Sequence, residues 1–180
     1  MYKNEYQRVL EIFFKNPNKD FYIREIAKLA KVSPGFSKKA TDEFLREGLL
    51  TKRDRGNLVL LRGNLGSLVF RHMKITHSLR KILKSSLLDY LERNLTDLKS
   101  VILFGSVARG EDDENSDLDL LVIGKGSLNQ TELENVIRRR TSLIKCTSDE
   151  WKNKARLDRA FYERILIDGI PLYGEFEAIL

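Results

Sequence analysis

The stretch Gly105–Val122 reads GSVARGEDDENSDLDLLV, and it carries the most informative pattern in the chain. It follows an apolar run rich in β-formers, Leu98–Phe104, which predicts a buried strand that ends at the glycine. A second apolar run, Leu118–Ile123, predicts another strand. A glycine-serine pair therefore follows one predicted strand, and an aspartate pair opens the next.

The two aspartates, Asp117 and Asp119, are two positions apart at the start of a predicted strand. Residues at this spacing point to the same face of a strand, so their carboxylates are held side by side. Such a pair repels unless a cation lies between the two groups. Mg²⁺ prefers hard oxygen ligands and commonly takes one or two carboxylates with phosphate oxygens. We therefore predict that Asp117 and Asp119 are metal ligands and catalytic residues for a Mg²⁺-dependent reaction.

The glycine-serine pair is a candidate for binding the phosphates of a nucleotide. Gly105 has no Cβ, which allows its backbone N–H to approach a phosphate closely, and Ser106 adds a short hydroxyl donor. Arg109 is a third candidate nucleotide-binding residue. Its guanidinium has three possible roles at this stage: it pairs with phosphate, with the acidic segment 111–115, or with neither.

The string GSVARG…SDLDLLV closely resembles the signature of the DNA polymerase beta-like nucleotidyltransferase superfamily, usually written GSxARG…SDxDLxV. It is most similar to the minimal, single-domain members, and Ile165–Gly174 is similar to their closing strand. The resemblance implies that Gly105 and Ser106 hold a nucleoside triphosphate such as ATP. It also implies that the metal-bound aspartates assist in-line attack of a hydroxyl on the α-phosphate, with pyrophosphate as the leaving group.

One departure from the family pattern concerns a third carboxylate, which active members carry on a later strand. That strand should be Thr141–Cys146, which contains no Asp or Glu, and the matching position is Ser142 or Leu143. Asp149 and Glu150 follow, and they substitute only if the chain folds back. We favour a helix N-terminus for these two acids. Catalytic activity is therefore left open, and we expect impaired transfer.

The N-terminal third has the element order of a winged helix-turn-helix domain, which favours binding to double-stranded DNA over a protein-docking role or a solvated face of the hairpin. The pattern predicts helices over 4–15, 24–30 and 33–47, then strands at 49–52 and 58–61 joined by a basic loop, with a short extended piece at 21–23. Candidate DNA contacts lie on the exposed face of the third helix and on the hairpin: Ser33, Ser37, Lys38, Lys39, Thr41, Lys52, Arg53, Arg55 and Asn57.

Charge is unevenly distributed over the 180 residues, whose net charge is +6. Residues 1–95 hold 20 Lys and Arg against 10 Asp and Glu, a balance of +10, whereas residues 96–180 hold 12 against 16, a balance of −4. The basic half suits a polyanion, and the acidic half suits cations. The single cysteine, Cys146, fits a small buried hydrophobe in a reducing cytoplasm. We expect no membrane segment, because no apolar run is long enough to span a bilayer.

The predicted fold class is α+β, with a winged helix-turn-helix, a long connecting helix and a small mixed-sheet nucleotidyltransferase domain. The expected bounds are 1–66, 67–95 and 96–180, with one helix running over about 68–95. We expect a homodimer, because winged-helix proteins often bind two half-sites and the long helix offers an interface.

Three functional hypotheses follow from these patterns. The first is a DNA-binding transcriptional regulator whose nucleotidyltransferase domain senses a nucleotide or has lost activity. The second is an active nucleotidyltransferase that modifies a partner such as a protein and is targeted by the winged helix. The third is a structural interaction protein, which the Asp117–Asp119 pair disfavours because adjacent acids are costly without a cation.

Overall fold

The computed structural model describes residues 4–56 and 58–176, and its contacts divide the chain into two units. Unit 1 comprises the chain up to Lys74 together with Glu111–Asn115. Unit 2 comprises Ile75–Gly110 and the chain from Ser116 onward. The first division falls between Lys74 and Ile75, inside a helix, and the domain bounds after residues 66 and 95 stay predictions.

Unit 1 contains three helices followed by a two-stranded antiparallel sheet, the order expected from the sequence. The extended segment at Phe21 forms a bridge to Leu61, with both backbone hydrogen bonds at 2.9 Å. The winged-helix interpretation of this arrangement remains a prediction. The elements are α1 (Asn4–Lys15), α2 (Ile23–Ala30), α3 (Pro34–Arg46), β1 (Leu50–Arg55), β2 (Leu58–Gly63) and the first part of α4 (Leu68–Lys84).

Local sequence explains where α3 begins and why unit 1 holds together. Ser33 accepts a hydrogen bond from the Phe36 backbone N–H at 3.1 Å, and Pro34 occupies the first helical position, where an N–H is not needed. Aromatic side chains fill the core, with Phe13 and Phe21 in edge-to-face contact at 5.5 Å between ring centroids.

The hairpin differs from its prediction in one respect. β1 continues to Arg55 and pairs with β2 along its full length, so the predicted loop at 53–57 is largely strand. Residues 51–55 of β1 are all exposed, so the basic residues of this segment face solvent. The predicted contact Asn57 lies outside the described residues.

Unit 2 contains a four-stranded mixed sheet in the order β5-β4-β3-β6. β3 pairs antiparallel with β4 and β6, whereas β4 and β5 are parallel. The remaining elements are α5 (Leu87–Asn94), β3 (Leu95–Phe104), α6 (Gly105–Arg109), β4 (Leu118–Gly126), α7 (Gln130–Ile137), β5 (Thr141–Cys146), α8 (Ser148–Leu157), α9 (Arg159–Asp168) and β6 (Ile170–Tyr173).

The long helix expected over 68–95 is broken into two, α4 and α5, and the break lies where Ser85 Oγ donates a hydrogen bond to the Ile82 carbonyl at 2.6 Å. A similar break at Asp158 divides α8 from α9, where the Asp158 carboxylate accepts from the Phe161 N–H at 3.1 Å. Short polar side chains that bond the backbone compete with a continuous helix, which apolar periodicity alone does not reveal.

Two simpler expectations concern burial and membrane contact. Cys146 is buried on β5, as predicted. Among the helices in the described parts of the chain, none is long and apolar enough to cross a membrane.

Candidate nucleotide and metal site

Gly105 and Asp119 are brought together by the pairing of β3 with β4. The antiparallel register places Phe104, the last residue of β3, opposite Asp119. Gly105 has φ +73°, and a Cβ there would collide with the Asp119 carboxylate. The glycine is therefore required on two grounds, because its backbone is left-handed and the aspartate packs against its Cα.

The segment after Gly105 is a short helix, α6, and not an open loop. It ends at Gly110, whose φ of +69° closes the turn and whose N–H bonds back to the carbonyls of Ser106 and Val107. Val107 and Ala108 are buried, whereas Ser106 is half-buried. The motif thus anchors its apolar residues in the core and keeps the serine beside the end of β3.

The acid pair lies at the beginning of β4, as predicted. Asp119 is half-buried, and Asp117 directly precedes the strand with a side chain 46% exposed. Burial raises the pKa of the Asp119 carboxyl; a Ser142 hydrogen bond opposes the shift, and the charge of Asp117 adds to it. The two carboxylates therefore interact unfavourably when both are ionised, which a shared cation would relieve.

The register of the parallel strands β4 and β5 aligns Asp119 with Ser142, one of the two positions considered for the third carboxylate. Its hydroxyl hydrogen-bonds to the Asp119 carboxylate. Within residues 4–56 and 58–176, no three His, Cys, Asp or Glu side chains cluster closely enough to hold a metal ion.

Asp149 and Glu150 belong to a helix N-terminus, the interpretation favoured from the sequence. Glu150 forms a capping box with Thr147: its carboxylate accepts from the Thr147 N–H at 2.7 Å, and its own N–H donates to the Thr147 hydroxyl at 3.3 Å. Both acids lie in the first turn of α8. These contacts account for the two acids as parts of a helix cap.

Arginines are the main feature of the site that sequence reasoning missed. Arg109 pairs with Asp168 at 3.4 Å, which was not among the partners considered for it. Arg140 Nε lies 3.1 Å from an Asp117 carboxylate oxygen, and Arg139 Nε donates to the Ser116 carbonyl at 2.8 Å. The run of arginines before β5 was the available signal, but only the parallel pairing of β5 with β4 places it beside the acids.

The predicted DNA-contacting residues separate into exposed and buried sets. Ser37 and Thr41 are fully buried, which corrects the expectation that they lie on the exposed face of α3. The Ser37 hydroxyl donates to the Ile23 carbonyl at 3.2 Å, and the Thr41 hydroxyl donates to the Ser37 carbonyl at 2.9 Å, so both serve the packing of α3. The exposed candidates are Ser33, Lys38, Lys39, Lys52, Arg53 and Arg55.

Comparison with known proteins identifies the domain that carries this site. Residues 84–168 match the model of the family described as "Nucleotidyltransferase domain", which supports a nucleotidyltransferase domain in this region. A search of curated proteins finds no match.

Three solved structures are similar to parts of the chain. A toxin-antitoxin complex with AMP-PNP is 21% identical, with 50% of this chain and 72% of that chain covered and a TM-score of 0.40. A mutant of the toxin-antitoxin MntA-HpeT is 18% identical over the same shares, also at 0.40. A Sulfolobus solfataricus protein assigned as a nucleotidyltransferase is 21% identical, with 59% and 92% covered and a TM-score of 0.32.

Proposed function

We propose that unit 2 binds a nucleoside triphosphate together with Mg²⁺, and that unit 1 directs the protein to double-stranded DNA. The observation that carries the proposal is the packing of the Asp119 carboxylate against Gly105, with Asp117 alongside. In this arrangement the glycine-serine pair follows the end of β3, and the acid pair lies beside it at the beginning of β4. Gly105 and Ser106 would hold the phosphates, and the aspartates would hold the metal.

The residues present fit one Mg²⁺ better than two. Asp117 and Asp119 offer hard carboxylate oxygens, and the raised pKa of the Asp119 carboxyl reflects burial and repulsion that a cation offsets. Mg²⁺ bound there would supply charge stabilisation at the phosphates. Ser142 pairs with Asp119 across β4 and β5, and its hydrogen bond opposes the rise in the pKa of the Asp119 carboxyl without adding a negative charge. We therefore favour stable nucleotide binding with slow or absent transfer, and a fully active transferase is the alternative.

Calorimetric titration with Mg-ATP tests nucleotide binding. We expect binding to the wild type and a large loss in Asp117→Asn and Asp119→Asn, because each removes a charged metal ligand. Asp89→Asn is the matched control, since it removes an exposed carboxylate from α5 of the same unit. Equal affinity in all four proteins would refute the assignment of the acid pair.

Pyrophosphate release separates slow transfer from rapid transfer. The assay uses ATP, CTP, GTP and UTP in turn, with candidate protein and nucleic-acid acceptors. We expect at most slow release, because β5 contains no Asp or Glu and its residue paired with Asp119 is Ser142. Rapid release that disappears in Asp119→Ala would establish the active transferase instead.

The DNA-binding proposal rests on the exposed basic residues of α3 and β1. Lys52, Arg53 and Arg55 all lie on the exposed run of β1. Contacts from such residues to phosphates give an affinity that falls steeply with salt. Fluorescence anisotropy with duplex DNA at increasing salt should show this slope, and a triple Gln variant of these residues should reduce it.

A control variant and a measurement of mass complete the DNA test. Arg8→Gln removes an exposed cation from α1 and should leave the salt slope unchanged. Absence of binding at low salt would favour a protein-docking role for unit 1. Light scattering with and without DNA tests the proposed homodimer on two half-sites.

A further inference from the structure

The chain enters β5 through three consecutive arginines, Arg138, Arg139 and Arg140. Arg138 ends α7 with φ +58°, and its N–H bonds back to the Glu134 carbonyl at 2.7 Å. The turn therefore places Arg139 and Arg140 directly before β5, the strand that runs parallel to β4. Consecutive like charges repel one another, and a nearby anion or acidic partner relieves this repulsion.

Arg139 and Arg140 are bonded to the segment that carries the acid pair. The Arg140 carbonyl accepts from the Leu118 N–H at 2.9 Å, which is the first step of the parallel pairing. The Arg139 side chain donates to the Ser116 carbonyl at 2.8 Å, and that of Arg140 pairs with Asp117 at 3.1 Å. Backbone and side-chain contacts together hold this turn beside Asp117.

The charge balance around the acids differs from that of a site built for two metal ions. Asp117 and Asp119 contribute two negative charges, and the charges of Arg109 and Arg139 act on Asp119 while Arg140 pairs with Asp117. Arg109 also pairs with Asp168, so three guanidiniums face three carboxylates and their charges balance before any cation binds. One divalent cation would neutralise Asp117 and Asp119 and leave a positive balance for an anion with several charges.

We propose that Arg139 and Arg140 form the phosphate-binding turn for the triphosphate, and that Arg140 exchanges Asp117 for a phosphate oxygen when a divalent cation takes Asp117. The inference rests on the proposed binding of a metal-nucleotide complex. Arginine is suited to this exchange because its planar donors bind carboxylate and phosphate in similar geometry. The Arg140–Asp117 pair is largely exposed, at 72% and 46%, so its separation costs little.

The exchange makes the metal and the triphosphate bind cooperatively. Without phosphate, the cation competes with Arg140 for Asp117; without the cation, phosphate competes with Asp117 for Arg140. When both ligands bind, the cation takes Asp117 and the phosphate takes Arg140, so neither ligand has to compete with the Arg140–Asp117 pair. A positive coupling between the two ligands follows, and it is reciprocal.

The test measures two ligands separately on the full chain. Mn²⁺ alone is titrated by electron paramagnetic resonance, and tripolyphosphate alone by calorimetry. In Arg140→Gln we expect Mn²⁺ to bind about threefold more tightly, because Asp117 is released, and tripolyphosphate about fivefold more weakly. Arg139→Gln should weaken tripolyphosphate, and Arg140→Lys should restore part of the loss. Arg138→Gln is the matched control on the same turn and should change neither affinity.

The possible outcomes separate this inference from the proposed function. Wild type that binds neither Mn²⁺ nor Mg-ATP refutes the proposed function itself. Wild type that binds both, with Arg139→Gln and Arg140→Gln no different from Arg138→Gln, refutes only the phosphate-binding turn. A loss of affinity for both ligands in Arg140→Gln would show that Arg140 only supports the Asp117 segment, and would overturn the exchange.

Discussion

At the scale of single residues, the main feature of the candidate site is the close approach of the Asp119 carboxylate to Gly105. Gly105 combines a left-handed backbone with an aspartate packed directly on its Cα. The sequence predicted a glycine that exposes its N–H to phosphate. The structure adds a second requirement, since any side chain at this position would displace the carboxylate that the site needs.

Gly105→Ala should lower both stability and nucleotide affinity. The left-handed conformation disfavours alanine by about 1 kcal/mol, and the clash with Asp119 adds to this. Urea denaturation and Mg-ATP titration measure the two effects. Gly35→Ala is the control, because Gly35 lies in α3 with open space around its Cα. That variant should gain stability by about 0.5–1 kcal/mol, and a similar gain in Gly105→Ala would contradict the proposed role of Gly105.

Asp119→Asn should stabilise the metal-free protein at neutral pH. Burial, together with Asp117, raises the pKa of this carboxyl in the folded state. The folded protein therefore binds the proton more tightly than the unfolded chain, and wild-type stability falls as pH rises from the unfolded pKa to the raised one. Asparagine carries no charge, so the variant does not lose stability as the pH rises through this range.

Thermal denaturation in EDTA measures the effect of Asp119→Asn. The variant should melt at a higher temperature at pH 7, and the difference should disappear at about pH 3, where the wild-type carboxyl is protonated in both states. Asp89→Asn, in an exposed position on α5, serves as the reference. An advantage of Asp119→Asn that persisted unchanged at low pH would exclude the electrostatic cause.

At the scale of elements, apolar periodicity located nearly every helix and strand but not their interruptions. α1 spans the predicted residues 4–15, since its apolar positions and Pro17 mark both its face and its end. The breaks at Ser85 and Asp158 come from side chains that bond the backbone, and such bonds leave no periodic signal. The candidate site shows a similar limit. The sequence alone indicated the two acids, whereas only the pairing of β5 with β4 shows that Arg139 and Arg140 lie beside them.

Thr147→Ala should destabilise unit 2 by about 1 kcal/mol, the usual cost of removing a helix cap. Thr147 accepts from the Glu150 N–H at the start of α8 and completes a capping box. Urea denaturation gives the value. Thr131→Ala makes the same substitution at an exposed position in the first turn of α7, and its effect should be near zero. Equal losses of stability in Thr147→Ala and Thr131→Ala would show that the loss does not come from the helix cap.

At the scale of the whole molecule, the most informative feature is the place of Glu111–Asn115. These residues separate the glycine-serine pair from the aspartate pair in sequence, yet they belong to unit 1. Within that unit Asp112 forms a buried ion pair with Lys74, and the Glu114 N–H donates to the Lys15 carbonyl at 2.7 Å. The acidic composition of the segment suggested a partner for Arg109, and the contacts of the segment include bonds to α1 and α4.

Lys74→Met should destabilise unit 1 by about 3–5 kcal/mol, because it leaves Asp112 buried without its counter-charge. Adding Asp112→Leu should restore much of that loss, since no buried charge then remains. Urea denaturation of both variants measures this. Lys38→Met breaks an exposed pair with Asp42 and should cost less than about 1 kcal/mol. If the double variant is no more stable than Lys74→Met, the loss comes from packing and not from charge.

The chain passes between the two units three times, after Lys74, after Gly110 and after Asn115. A gene encoding such a protein cannot be divided by one cut into two self-sufficient parts. Ending the first part at Lys74 leaves the partner of its buried lysine on the other fragment. Exchange of the N-terminal unit for a different recognition module would therefore have to replace five residues inside the nucleotidyltransferase motif as well, so the two units are expected to be inherited together.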